Sequence, residues 1–135
     1  MKLITRNTDY AIGALLYLAR QKRIVSAKEL VKELHIPEAF LRRLLQALGK
    51  ENVLESYRGK GGGFILKTSP EQIDIARLME IFQGNLEIVN CMLKKKICPN
   101  RSSCILRSKI KEIERKVIRQ LESITLESLL KGKAS

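Results

Sequence analysis

The 135-residue sequence has no Trp, only three Tyr and three Phe, and a single histidine, His35. So few aromatic residues do not build the stacking platform on which single-stranded RNA is usually read, which counts against a basic RNA-binding protein. No segment brings together a nucleophile and a base or two carboxylates, and the lone His35 has a structural place at a helix break. The chain therefore does not read as an enzyme: no catalytic residue stands out, and no small-molecule substrate is implied. No apolar run reaches the length of a membrane span, and Met1-Lys2-Leu3-Ile4-Thr5-Arg6-Asn7-Thr8-Asp9 turns polar before a signal-peptide core forms, so a cytoplasmic protein without a membrane partner is expected. Acidic residues are scarce, 14 against 26 Lys and Arg, for a net charge of +12. That excess favours a polyanionic partner, nucleic acid first. The three cysteines, Cys91, Cys98 and Cys104, are too few and too odd in number for a closed disulfide framework.

What is present is a folding composition, 44% hydrophobic and 30% charged, enough for one domain with a core and an appended element. From Thr8 to Arg20 the residues Ala11, Ile12, Leu15, Leu16 and Leu18 recur on one face behind candidate caps at Thr8 and Asp9, predicting a first helix. Ser26-Ala27-Lys28-Glu29 is a capping box opening a second, with Leu30, Val31 and Leu34 inward. His35-Ile36-Pro37 ends it and starts a third, about Pro37 to Lys50, with an apolar stripe of Phe40, Leu41, Leu44, Leu45 and Leu48. Two short helices across a tight turn form a helix-turn-helix. Val53–Tyr57, then Arg58-Gly59-Lys60-Gly61-Gly62-Gly63, then Phe64–Leu66 reads as strand, glycine turn, strand. A hairpin directly behind a helix-turn-helix is the wing of a winged-helix module.

A fourth helix follows a cap or turn at Ser69-Pro70-Glu71-Gln72 and carries Ile75, Leu78, Met79, Ile81 and Phe82 up to Gly84. After the cysteine segment, a long helix from about Ser103 places Leu106, Ile110, Ile113, Val117, Leu121 and Ile124 three or four residues apart. So narrow a seam needs a partner helix, and pairing with a second copy of the chain is preferred over packing back on its own domain. The expected fold class is mainly α with a small β-hairpin wing: a winged helix-turn-helix DNA-binding domain (1–84), a cysteine cluster loop (85–104), and a long C-terminal dimerisation helix with its tail (105–135), as one structural unit.

The third helix would enter the major groove of duplex DNA, presenting Glu38, Ala39, Arg42 and Arg43 to base edges. In the wing, Arg58 and Lys60 are placed for a minor groove or phosphates, and Gly61 and Gly62 permit positive φ and close backbone approach. No Lys-Ser or Lys-Thr follows the glycines, which disfavours an ATP site. Cys91-x6-Cys98-x5-Cys104 is the strongest chemical feature, because thiolates on one loop can converge on a metal or cluster. Lys94, Lys95, Lys96 and Arg101 would stabilise thiolates and the net negative charge of such a group. An iron–sulfur cluster ranks first, then zinc, then a redox thiol or inert core cysteines. The loop supplies no fourth ligand, and His35 belongs to the helix-turn-helix, so Asp9 at a helix start is the candidate.

Asp9-Tyr10-Ala11, the wing string Ser56-Tyr57-Arg58-Gly59-Lys60-Gly61-Gly62-Gly63-Phe64, the three cysteines, and Ile124-Thr125-Leu126 together resemble the Rrf2 family of bacterial regulators, over nearly the whole chain. The cysteines select its cluster-binding branch, which includes IscR, NsrR and RirA. The resemblance implies a homodimer with crossed long helices, one iron–sulfur cluster per subunit, and cluster state coupled to operator binding. Thr8-Asp9-Tyr10 looks like the NsrR pattern, in which the aspartate is the fourth ligand of a [4Fe–4S] cluster, donated from the partner subunit; a [2Fe–2S] cluster is less favoured. IscR uses a histidine three residues after its last cysteine, where this chain has Arg107, and the first cysteine gap holds six residues where the family often has five. The nearest alternative within the same family is a regulator whose cysteines bind zinc or switch by oxidation.

Overall fold

The computed structural model describes residues 3–86 and 105–132. Along the chain, α1 (Arg6–Gln21), α2 (Ala27–Leu34) and α3 (Glu38–Lys50) precede the hairpin β1 (Leu54–Tyr57) and β2 (Gly63–Leu66). Then come a 3₁₀ turn (Pro70–Gln72), α4 (Ile75–Gln83), α5 (Ile105–Glu122) and α6 (Leu126–Lys131). This is the expected helix-turn-helix with a wing, and its boundaries show which local signals prevail.

The first helix starts earlier than its apolar pattern suggests. Thr5, in extended backbone, is the N-cap, and its hydroxyl accepts from the Thr8 N–H; Thr8 and Asp9 lie inside the first turn. Two threonines three apart are equivalent candidates by type, and the buried one, Thr8, is used for something else. Only half of the α2 capping box forms. Ser26 accepts from the Glu29 N–H at 3.1 Å, but the Glu29 carboxylate turns to Arg23 and Tyr17. At the other end His35 takes a left-handed conformation (φ 56°) and donates its N–H to Val31, closing the helix, while Pro37 caps α3. Asp74, rather than Ser69, caps α4, accepting from Arg77 N–H at 2.8 Å; Pro70 opens the 3₁₀ turn.

The hairpin is antiparallel, with Leu54 opposite Leu66 and Tyr57 opposite Gly63. Val25 pairs with Phe64 through two backbone hydrogen bonds (2.9 and 2.8 Å), which fixes the wing to the start of the helix-turn-helix. That pairing explains the glycine at 63: a Cβ there would lie 2.3 Å from the Val25 carbonyl oxygen. Gly62 is equally constrained, with 2.2 Å to the Tyr57 oxygen. The chain's own backbone thus occupies the space that Gly62 leaves, and Gly62 does not use the positive φ expected of it; Gly59 and Gly61, at φ 90° and 78°, supply that conformation at the exposed tip.

One core joins all of this. Leu15 and Leu18 of α1, Leu30, Leu41, Leu45, Leu48, Val53, Ile73 and Leu78 are fully or nearly fully buried together. Leu121 and Leu126 join them, so the C-terminal segment closes the domain; Ile75 N–H donates to Ile124 O and Leu126 N–H to Ile73 O, each at 2.9 Å. A helix break follows Glu122, and Thr125 with Ser128 forms a capping box for α6, an element the seam pattern does not predict. The α5 seam is accordingly divided. Leu121 and Val117 pack against the domain, whereas Leu106 and Ile113 are 69% and 53% exposed, with Ile105 at 75% beside them.

Candidate nucleic-acid interface and sensing site

Burial of Leu41, Leu44, Leu45 and Leu48 turns the opposite face of α3 outward, and Glu38, Ala39, Arg42 and Arg43 are all exposed on it. The two arginines differ in what holds them. Arg42 is ion-paired to Glu38 one turn earlier (3.0 Å), a solvated i,i+4 pair of small energetic weight that DNA phosphate can displace. Arg43 instead places its guanidinium over the Phe40 ring, 5.6 Å from the centroid. Phe40, expected within the core stripe, is only half-buried and lies edge-on against Tyr10 of α1 at 5.6 Å and 90°. Arg58, Lys60 and Gly61 are exposed at the wing tip.

At the start of α2, Glu29 accepts from both terminal guanidinium nitrogens of Arg23 (3.2 and 2.7 Å) and from the Tyr17 hydroxyl (2.5 Å). Arg23 and the Tyr17 hydrogen bond hold the Glu29 carboxyl below its ordinary range, and the same carboxylate raises Tyr17. The cluster ties the end of α1 to the head of the helix-turn-helix. Arg77 of α4 donates to the Glu51 carbonyl (2.9 Å), placing a cation at the C-terminus of α3, where the helix dipole favours it.

Asp9 is exposed in the first turn of α1, in an open depression of about 500 Å³ lined also by Ile4, Thr5, Arg6 and Tyr10. Among the described residues, no side chain hydrogen-bonds or ion-pairs with its carboxylate. Gln83, the last residue of α4, binds the N-terminal segment. Its Oε1 accepts from Thr5 N–H (3.0 Å) and from the fully buried Thr8 hydroxyl (2.7 Å), and its Nε2 donates to Leu3 O (3.0 Å). Sequence reading missed this network, because its partners lie 75 to 80 residues apart. Cys91, Cys98 and Cys104, with Lys94, Lys95, Lys96 and Arg101, lie outside the described residues; Arg107 lies in the first turn of α5. Among the described residues no three His, Cys, Asp or Glu side chains are grouped to hold a metal, and no helix is long and apolar enough to cross a membrane.

The sequence profile of the Rrf2 family, described as an iron-dependent transcriptional regulator, matches residues 4–132. The chain belongs to the Rrf2 family. This Rrf2 protein is 32% identical over 130 residues to the HTH-type transcriptional regulator NsrR of Halalkalibacterium halodurans, covering 94% of this chain and 89% of the relative. The NsrR of Bacillus subtilis is 29% identical over 136 residues, covering 98% and 92%. Among solved structures, CymR, the global cysteine regulator of B. subtilis, superposes with a TM-score of 0.79 at 23% identity, covering 99% of this chain and 100% of CymR. T. potens IscR superposes with a TM-score of 0.74 at 24% identity, covering 97% and 87%. These two likenesses show the winged-helix fold. With its family established, the chain is a DNA-binding transcription regulator and not an enzyme.

Proposed function

We propose that this Rrf2 regulator is a cytoplasmic homodimer that binds duplex operator DNA and senses through an iron–sulfur cluster, [4Fe–4S] in preference to [2Fe–2S], held by Cys91, Cys98, Cys104 and Asp9 of the partner subunit. The observation that carries this reading is the pairing of two features. Three cysteines share one short basic segment, and Asp9, the one residue matching the fourth ligand of the NsrR pattern, presents an exposed carboxylate that the helix cap does not consume. The donor set suits the group: soft thiolates for iron, a harder oxygen for one iron, and lysines to offset the negative charge. When bound, the cluster would supply a site whose oxygen-ligated iron is open to attack, as sensing requires. Arg107 in place of the IscR histidine supports oxygen ligation.

The DNA-facing residues in this reading are Glu38, Ala39, Arg42 and Arg43 in the major groove, with Arg58, Lys60, Gly61 and Gly62 of the wing alongside. Their shared exposure, Gly62 only partly, supports it. The domain runs to residue 84, the cysteine loop to 104, and α5 with its tail forms the dimerisation unit. Its exposed Ile105, Leu106 and Ile113 support pairing with a second copy. The likeness to CymR favours a second reading, in which the cysteines bind zinc or act as redox thiols on the same scaffold.

Anaerobic purification with iron, sulfide and zinc analysis separates the two. The cluster reading expects a brown protein with matched iron and sulfide; a colourless protein with stoichiometric zinc, or with neither metal after reconstitution, would sink it.

A further inference from the structure

The two arginines of α3 are oriented by different means, and the difference bears on sequence discrimination. Arg42 answers to a flexible carboxylate on its own helix. Arg43 rests on an aromatic face that is fixed by another helix: Tyr10 of α1 meets Phe40 edge-on, and Phe40 carries the guanidinium. A guanidinium held over a ring by cation–π attraction loses less further freedom when it forms two parallel hydrogen bonds to a guanine edge. Tyr10 directly follows Asp9, so the ring that fixes Phe40 belongs to the first turns of α1, where Asp9 stands.

We infer that Tyr10 and Phe40 form an edge-to-face pair that positions Arg43 for base reading, making Phe40 a specificity-determining residue that itself makes no base contact. Arg43 carries no ion pair among the described residues, so the ring is its main orienting contact. The aromatic pair should therefore set how strongly one sequence is preferred over another, while the general attraction of the basic surface for phosphate is unaffected. This inference rests on the proposed placement of α3 in the major groove.

The test uses the full-length protein and two duplexes of equal length and composition, one selected from a random library by the wild-type protein and one scrambled. Phe40→Leu is expected to lower the ratio of selected to scrambled affinity by roughly tenfold, as Arg43→Met does. The double variant should lose no more than either single one, and Phe40→Tyr should restore the ratio. Affinity for the scrambled duplex and the urea unfolding midpoint should move little in Phe40→Tyr, and scrambled affinity little in Phe40→Leu. Should Phe40→Leu fold poorly, Tyr10→Leu removes the edge contact while keeping an apolar side chain against the core, and should still lower the ratio severalfold. An unchanged ratio in folded Phe40→Leu or Tyr10→Leu, a lowered ratio in Phe40→Tyr, or additive losses with Arg43→Met, would overturn the inference. A wild-type protein that selects no sequence, or one in which neither Arg42→Met nor Arg43→Met alters the ratio, would instead overturn the placement of α3.

Discussion

Replacing Gln83 by Leu removes three hydrogen bonds together, from Thr5 N–H, from the Thr8 hydroxyl and to Leu3 O. A neutral hydrogen bond contributes about 1 kcal/mol net, and a buried donor left unmade costs about 1–3 kcal/mol. Thr8 is fully buried, but the Thr5 hydroxyl lies 3.3 Å from its own and can take over part of its bonding. Thr5 N–H and Leu3 O are nearer the surface, where water replaces the amide. The expected loss for Gln83→Leu is therefore about 2–3 kcal/mol, while Thr8→Val, which removes one donor and keeps the shape, should cost about 1 kcal/mol. The double variant should cost clearly less than the sum, because valine leaves no hydroxyl to strand once the amide is gone. Urea unfolding followed by far-UV circular dichroism measures all four proteins, since the sequence has no Trp to report by fluorescence. A Gln83→Leu protein within about 0.5 kcal/mol of wild type, the range of an uninvolved surface change, or strictly additive losses, would refute the clamp.

Gly63→Ala should cost at least 2 kcal/mol by order of magnitude, since both hydrogen bonds of the Val25–Phe64 pair must yield to a Cβ placed 2.3 Å from a carbonyl oxygen. Gly49→Ala in α3 meets nothing within 4 Å and should be neutral or stabilise by up to about 1 kcal/mol, and a reversed order in urea midpoints would refute both. Because the folded-state pKa of Glu29 is lowered, its contribution is present above the ordinary carboxylate value and is lost as pH falls through the lowered one. Glu29→Gln should therefore be less stable than wild type at neutral pH, and the gap should close in acid; a gap that persists unchanged at low pH would count against the assigned cause. Leu106→Lys with Ile113→Lys should shift sedimentation from dimer to monomer at a given concentration, and an unchanged dimer would place the interface elsewhere.

The helix-turn-helix, the hairpin and α4 were legible because each is written in local terms: three- and four-residue apolar spacing, a Ser cap, a His-Ile-Pro break and a glycine turn. Candidate DNA-facing residues were legible for the same reason, as the complement of a buried stripe. Contacts between distant segments were not. Nothing local marks Val25 as the partner of Phe64, Gln83 as the clamp on Thr8, or Leu126 as part of the core. The cap fell to Thr5 because Thr8 was recruited by Gln83, a competition visible only in three dimensions. Taken singly, Phe40 reads as core and Arg43 as surface; their i,i+3 spacing is the signal that joins them.

Mixed dimers show whether the cluster site is completed across two subunits. One subunit carries Asp9→Ala with its cysteines intact; the other keeps Asp9 but carries Cys91→Ala, Cys98→Ala and Cys104→Ala. If Asp9 serves the partner's cysteines, the mixed dimer holds one wild-type site, so anaerobic spectra should show half the wild-type cluster with wild-type resistance to loss. A cluster as labile as that of the Asp9→Ala homodimer, or none at all, would rule out Asp9 as a ligand donated across the dimer.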